Sequence, residues 1–451
     1  MSETSRRKFL TSAATAAGAY SLFNISGCGK TNTETYTQLS KNRTHPLDGI
    51  DRENITITDI RVTPLCYEPP DKKHLWLTGK YVTWKTEAAP CEVFTNQGIV
   101  GIGEGSPYAG AQLIKKYAEE VIKPALIGKN PFDVEFLACG GQDYNGHTTP
   151  ISAATAAWAG IDTALWDIIG KAKNMPVYKL LATDYEPNPH LLTYASGGDL
   201  HEWYNNGAET LIEEALRYKE QGFTGFKFRC GTDWEYSNMT LKKYIPVLRR
   251  LREAVGPDFN LMHEGVGPTG MTFNEVIEVF CPLLEELKFH FFEQPMGSIE
   301  EYVKIKEALP TVMVSGGESD VNRFQIKEWI DRDAMDIVQT DNSWTGISEG
   351  WHIAHMAHLF GKRFCPHNWH GGLTIMGNAY LAAGIPNQHM LEYNANFNPL
   401  KDGVFKEPLA VKNSYMDLPD KPGYGLELAP DLANKFPWIP GDARRPNPVM
   451  S

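Results

Sequence analysis

The spacing of apolar and polar positions divides the chain into blocks with different rhythms. The opening block holds a basic pair in "SRRKFL", a mildly apolar, charge-free run "TSAATAAGAYSLF", and then "NISGC". From there the chain turns polar, Thr/Asn-rich and aperiodic, which predicts a flexible tether over residues 29–54. Regular alternation starts near Ile55. "ITITDIRVTPL" and "CEVFTNQGIVGIGEG" read as half-buried antiparallel strands, the second stretch folding back at Asn96-Gln97-Gly98. Helical spacing follows in "AQLIKKYAEEVIKPALIG" and in "SAATAAWAGIDTALWDIIGKA", where Ala157, Ile161, Ala164, Leu165 and Ile168 share a face. Strands followed by helices predict an α+β unit over residues 55–187.

Past residue 188 the rhythm changes. Short β-rich runs alternate with helical stretches: "LLTYAS", "GFKFRCG", "NLMHEG", "HFFEQP", "TVMVSGGES", "DIVQTD", "KRFCPHNW" and "HMLEYN". Alternating βα units favour a parallel sheet, and eight of them within residues 188–395 favour a barrel over an open doubly wound sheet. Residues 396–451 follow as a C-terminal segment.

Length and charge narrow the picture. A chain of 451 residues accommodates a barrel with a second domain. A net charge of −12 supplies no electrostatic footprint for nucleic acid. Seven Cys, at positions 28, 66, 91, 139, 230, 281 and 365, form no CxxC pair. The last six read as small core residues, with a disulfide among them left open. The order of basic pair, apolar run, small residues and Cys over residues 1–28 resembles a twin-arginine export signal ending in a bacterial lipoprotein box. Cys28 would then be the lipidated first residue of a periplasmic or cell-envelope lipoprotein, touching the membrane only through that N-terminal anchor. The apolar run is too short and too rich in Ala and Gly to span a bilayer.

Candidate chemistry lies where the later strands end. "FHFFEQPMG" carries an aromatic run straight into Glu293. Its neighbours do the same: the third to eighth runs end on Glu264, Glu293, Glu318, Asp341, His367 and Glu392, separated by 29, 25, 23, 26 and 25 residues. In a barrel those ends converge on one face. Any one such residue is an ordinary solvated strand-end charge; six in step are not. Gathering carboxylates is costly unless a cation holds them, and hard oxygen ligands suit Mg²⁺. Alternation in "GFKFRCG" points Lys227 and Arg229 the same way, on the strand before the acidic series. His263 alternates away from the site and reads as a core or supporting residue.

With these residues in view, the chain resembles the mandelate racemase and muconate-lactonising branch of the enolase superfamily, from Ile55 to about Phe436. The likeness rests on "GIVGIGEG", "ALIGKNP" and "AGIDTALWDIIGKAKNMPVYKLL", on the strand-end series, and on "DLPDKPGYGLEL". It implies an α/β fold: a modified TIM barrel, (β/α)7β, with an N-terminal α+β capping domain completed by the C-terminal segment. It implies Glu264, Glu293 and Glu318 as metal ligands and Asp341 and His367 as a dyad in which Asp orients the imidazole. Glu392 would hydrogen-bond the substrate carboxylate, and Lys227 matches the first residue of a Lys-x-Lys pair. Arg229 stands where a Lys base is common, and Arg is too basic to be neutral near pH 7. The resemblance also implies a symmetric homo-oligomer.

Such a site abstracts the proton α to a carboxylate through an enediolate, with His367 as the base. Dehydration of a sugar acid to a 2-keto-3-deoxy acid is the expected reaction, because one base serves both proton removal and loss of the hydroxyl. Racemisation or epimerisation, with Lys227 as second base, and cycloisomerisation of an anhydro-sugar acid are the alternatives. From another class, an exported sugar-acid binding protein on a catalytically dead barrel also fits the signal. Trp369 and His370 are expected to line the pocket. Residues 67–86 and "CGGQDYNGHTTP" are expected to be loops over the barrel mouth.

Overall fold

The computed structural model describes residues 43–70, 76–77, 81–140, 151–198, 209–229, 234, 238–265 and 267–446. The signal with Cys28, over half of the tether, residues 71–75 and 78–80 of the first expected mouth loop and residues 141–150 of the second lie outside the described residues.

All eight expected barrel strands are present: His190–Gly197, Gly225–Arg229, Asn260–Glu264, Phe291–Glu293, Met313–Gly316, Ile337–Val338, Arg363–Phe364 and Leu391–Asn394. The first seven pair in parallel in chain order, and the eighth pairs with the first. A bridge between Phe364 and Gln388 closes the ring. The sheet is therefore a barrel, and no open edge separates its ends. Its interior is filled by Tyr194, Met262, Phe291 and Ile337 from four strands, with Cys365 and Met390 next to the ends of two more. A packed layer below the charged mouth makes it a floor and not a pore.

The cap is an antiparallel sheet of Ile57–Val62, Pro90–Thr95 and Val100–Glu104, covered by the helix Ala153–Ala172. Gly98 makes the hairpin turn with φ +77. The glycines of "GIVGIGEG" have a packing cause. A Cβ on Gly103 would run into the carbonyl of Gly160, and one on Gly105 into that of Ala156, so strand and helix lie backbone to backbone. Gly103→Ala is expected to cost about 1–3 kcal/mol or more, read as a lower urea midpoint.

That helix departs from the expected one-sided pattern, being buried on every side from Thr155 to Gly170. The cap sheet covers one face and the barrel helix Asn342–Leu359 another. Its two buried acids are ties. Asp162 accepts from Ser348 Oγ at 2.6 Å, joining cap to barrel. Asp167 accepts from Ile102 N at 3.0 Å and Tyr424 N at 2.9 Å, joining helix, cap strand and C-terminal segment.

The chain end returns to the cap. A hairpin of Val411–Lys412 and Tyr415–Asp417 extends the first barrel strand antiparallel, and Arg444–Pro446 pairs with Tyr81–Thr83. At the other end Arg43, 4% exposed, donates to Leu180 O at 3.1 Å and to Ala182 O. It thereby satisfies orphan carbonyls where the helix Val177–Leu181 ends. Cys66, Cys91, Cys281 and Cys365 are buried free thiols, so none of these four forms the disulfide left open by the sequence. No helix among the described residues is long and apolar enough to cross a membrane.

Candidate active site

The strand-end series converges as expected. One carboxylate oxygen from each of Glu264, Glu293 and Glu318 lies within 4.8 Å of the others. Glu264 and Glu293 are the last residues of neighbouring paired strands, and Glu318 follows the next strand by two residues. Glu293 is fully buried. Its position at the strand terminus, facing the Lys227 ammonium and grouped with Glu264 and Glu318, answers why an aromatic strand ends on a charge.

Lys227 enters from below. Its ammonium, 1% exposed, lies 2.8 Å from Glu293, 2.8 Å from Glu392 and 3.4 Å from Glu264. Arg229, partly exposed, pairs with Glu264. Burial alone would raise the Glu264 pKa, but Arg229 and Lys227 outweigh it and bring it down to about 2. Glu293 goes the other way. Burial and the neighbouring acids prevail over Lys227, and its pKa is pushed up to about 7.

Opposite this group stands the expected pair. His367 Nδ1 donates to Asp341 Oδ2 at 2.9 Å, and its Nε2 faces Glu318 Oε2 at 3.4 Å. With Nδ1 carrying the proton, the neutral ring turns its Nε2 lone pair into the site. Asp341 Oδ1 accepts from Ser343 N at 2.8 Å and from Asn378 Nδ2 at 3.0 Å, so the carboxylate cannot swing. Burial works against a charged His367. Glu318, the Asp341 bond and Glu392 reverse that effect and raise its pKa to about 10. Asp341→Asn removes one of the raising contributions. The imidazole midpoint is expected to move down, measured by NMR titration of the ring protons.

His370 reaches Asp341 Oδ2 at 3.4 Å and Ser106 Oγ at 3.2 Å, with the Tyr108 ring 4.4 Å away. His370 thus buttresses the dyad as well as lining the neighbouring cavity, which Trp369 also lines. His263 lies outside the site as expected, packed against Phe228, Phe280 and Phe292 with Nε2 2.9 Å from Tyr244 Oη.

Neutral residues escaped the sequence reading. Gln339 Nε2 donates to Glu293 Oε2 at 2.8 Å. Asn368 N donates to Glu392 Oε2 at 2.7 Å, and Asn378 holds Asp341. Gln339 alone had a usable signal: two positions before Asp341, it shares that residue's side of an alternating strand.

The donor set fits a hard divalent cation. Glu264, Glu293, Glu318, Asp341 and Glu392 bring five carboxylates to one mouth, against the two permanent cations Lys227 and Arg229. Three of the five present oxygens close enough to share an ion.

A closed parallel barrel with a carboxylate triad facing a His–Asp pair, roofed by an α+β cap, is the architecture of a metal-dependent enolase-type enzyme. Family models agree: residues 210–432 match "Enolase C-terminal domain-like" and residues 83–182 match "Mandelate racemase / muconate lactonizing enzyme, N-terminal domain". The chain is 32% identical to an arabinonate dehydratase of Saccharolobus solfataricus, over 84% of this chain and 99% of that one. It is 26% identical to a D-xylonate dehydratase of Haloferax volcanii, over 85% and 89% of the two chains. The crystal structure of the 3,6-anhydro-D-galactonate cycloisomerase from Zobellia galactanivorans superposes with a TM-score of 0.72 at 26% identity, covering 84% of this chain and 99% of that one. The chain belongs to the mandelate racemase/muconate lactonizing enzyme family of the enolase superfamily. It is an enzyme of that superfamily, and a dead binding barrel is set aside.

Proposed function

We propose that the protein is a Mg²⁺-dependent sugar-acid dehydratase that converts an aldonic acid to its 2-keto-3-deoxy product. The carrying observation is the His367–Asp341 pair facing the carboxylate triad across one mouth. Likeness to dehydratases of arabinonate and xylonate supports the class of substrate. Mg²⁺ would be held by Glu264, Glu293 and Glu318, where it would supply electrostatic stabilisation for the charge that builds on the substrate carboxylate.

The chain's own residues do the rest. His367 Nε2 takes the α-proton, with Asp341 steadying the imidazolium. The β-hydroxyl then departs and receives that proton, leaving as water, and the resulting enol tautomerises to the 2-keto acid. Glu392 and Lys227 orient the substrate carboxylate. Arg229 adds positive charge beside Glu264. Lys227 is packed among three carboxylates and so is badly placed to act as a base on the second face, which favours elimination over epimerisation.

The test is proton NMR of the purified enzyme with Mg²⁺ and a panel of sugar acids in D2O. New deoxy-sugar methylene signals are expected. Deuterium uptake at the α-carbon without loss of water from any acid of the panel would overturn dehydration in favour of epimerisation, and a deoxy product isomeric with its substrate, formed with no loss of water, would overturn it in favour of cycloisomerisation. We further propose export and anchoring through Cys28; a mature chain confined to the cytosolic fraction of its native cell would refute both.

A further inference from the structure

A second cluster of metal-ligating side chains is distinct from the carboxylate mouth. His45, Glu135 and His352 each bring one ligand atom to within 4.8 Å of the others. His45 Nε2 stands 3.0 Å from Glu135 Oε1, and His352 Nε2 stands 3.2 Å from Glu135 Oε2. Two ligands held tetrahedrally by Zn²⁺ at its usual bond lengths lie about 3.3 Å apart. Both spacings are close to what one shared ion would impose.

The three residues come from three parts of the fold. His45 belongs to the entry segment ahead of the cap, Glu135 to the cap helix Val134–Gly140, and His352 to the barrel helix Asn342–Leu359. The two His lie 90 and 217 residues from Glu135 in the chain. Each is held in place. Asp48 Oδ2 accepts from Thr44 N and from His45 N, both at 2.9 Å, which fixes the turn that presents His45. The Trp351 ring lies edge-on to both imidazoles, with centroids 5.6 Å from His45 and 5.0 Å from His352. Ser348, one turn before His352, is tied to Asp162 at 2.6 Å.

The chemistry differs from that of the mouth. Burial alone would raise the Glu135 pKa, but bonds from His352 and His45 outweigh it and bring it down to about 2, so the carboxylate is ionised. Two imidazole nitrogens and one carboxylate suit a borderline ion such as Zn²⁺, whereas the all-oxygen triad suits Mg²⁺. The side chains of His45, Glu135 and His352 are 24%, 29% and 23% exposed, which admits an ion and a water as its fourth ligand. Free of metal, the cluster is a hydrogen-bonded clasp. Leu47 N donates to His45 Nδ1 at 3.2 Å, leaving the ring proton on Nε2. Zn²⁺ binding moves that proton to Nδ1 and turns the half-buried Leu47 N–H to water, exchanging one long local bond for a metal bond.

We propose that His45, Glu135 and His352 form a Zn²⁺ site that pins the entry segment to both cap and barrel. The site shares no ligand with the mouth, so it stands or falls apart from the dehydratase reading.

The test titrates Zn²⁺ by calorimetry into the full chain, free of any affinity tag and stripped of metal, with Mg²⁺ in excess to occupy the mouth. His45→Gln and His352→Gln run beside the wild type. Glutamine keeps a donor towards Glu135 while giving up the imidazole, so each variant should melt close to wild type without Zn²⁺. Each is expected to bind one equivalent fewer than wild type and to lose the rise in melting temperature that Zn²⁺ gives it. X-ray absorption at the zinc edge of the singly loaded wild type should show two imidazoles. Zn²⁺ binding unchanged in either variant, or an all-oxygen shell, overturns the site. A wild type that takes up no Zn²⁺ at millimolar concentration also overturns it and leaves a hydrogen-bonded clasp alone.

Discussion

His367→Asn is expected to lower turnover by about 10²–10⁴-fold, the range a positioned general base contributes. The amide keeps a donor towards Asp341 Oδ2, now accepting from the imidazole at 2.9 Å, so the mouth should hold its shape. What disappears is the lone pair at Nε2. The loss should therefore fall on both water elimination and α-deuterium exchange, with cation affinity within a few-fold of wild type. Dehydration at wild-type rate would assign the base elsewhere. Exchange preserved with elimination lost would confine His367 to protonating the departing hydroxyl.

Lys227→Met is expected to have the largest effect on stability. The ammonium is 1% exposed and pairs with Glu293, Glu392 and Glu264. Removing one partner of a buried ionic group costs about 3–5 kcal/mol, because the remaining charges stay buried and uncompensated. Two rescues follow. Mg²⁺ at a hundred times its dissociation constant returns about 2.7 kcal/mol, and the variant should gain more from it than wild type, having lost a competing cation. Acid is the second. Glu293 already has its pKa pushed up to about 7 by burial, with Lys227 opposing the rise. Without Lys227 the folded value climbs further, while the unfolded value stays about 4.3. A folded pKa above the unfolded one gives stability that is complete below pH 4.3 and lost as pH rises through the folded value. The variant should melt higher at pH 5 than at pH 8 by scanning calorimetry. Equal melting at both, without Mg²⁺, would mean the carboxylates find another partner.

Charged groups were legible in the sequence because strand alternation and βα spacing are local. Glu264 and Glu293 close their strands, Glu318, Asp341 and His367 follow theirs by two or three residues, Glu392 lies inside the eighth, and the parallel order brings all six to one mouth. Asn368 and Asn378 were not legible, since a neutral amide carries no sign of the carboxylate it will serve. Nor could spacing show Lys227 at the centre of three acids, which depends on barrel closure. The helix Ala153–Ala172 misled for a similar reason: its apolar stripe marks one partner, while its small residues and two Asp meet others. Pairing of Arg444–Pro446 with Tyr81–Thr83 joins positions too distant in the chain for any periodicity to report.

That last pairing has a consequence for biosynthesis. Early domains usually fold while later ones are still being translated. Here the cap strand Tyr81–Thr83 waits for Arg444–Pro446, and Lys85 waits for Ile439. At 5–20 residues per second the gap is roughly 20–70 s. During that interval the nascent cap presents an unpaired edge and a lysine without its final carbonyl partner. A chain broken shortly before residue 439 would keep its whole barrel and every residue of the carboxylate mouth, yet never close its roof.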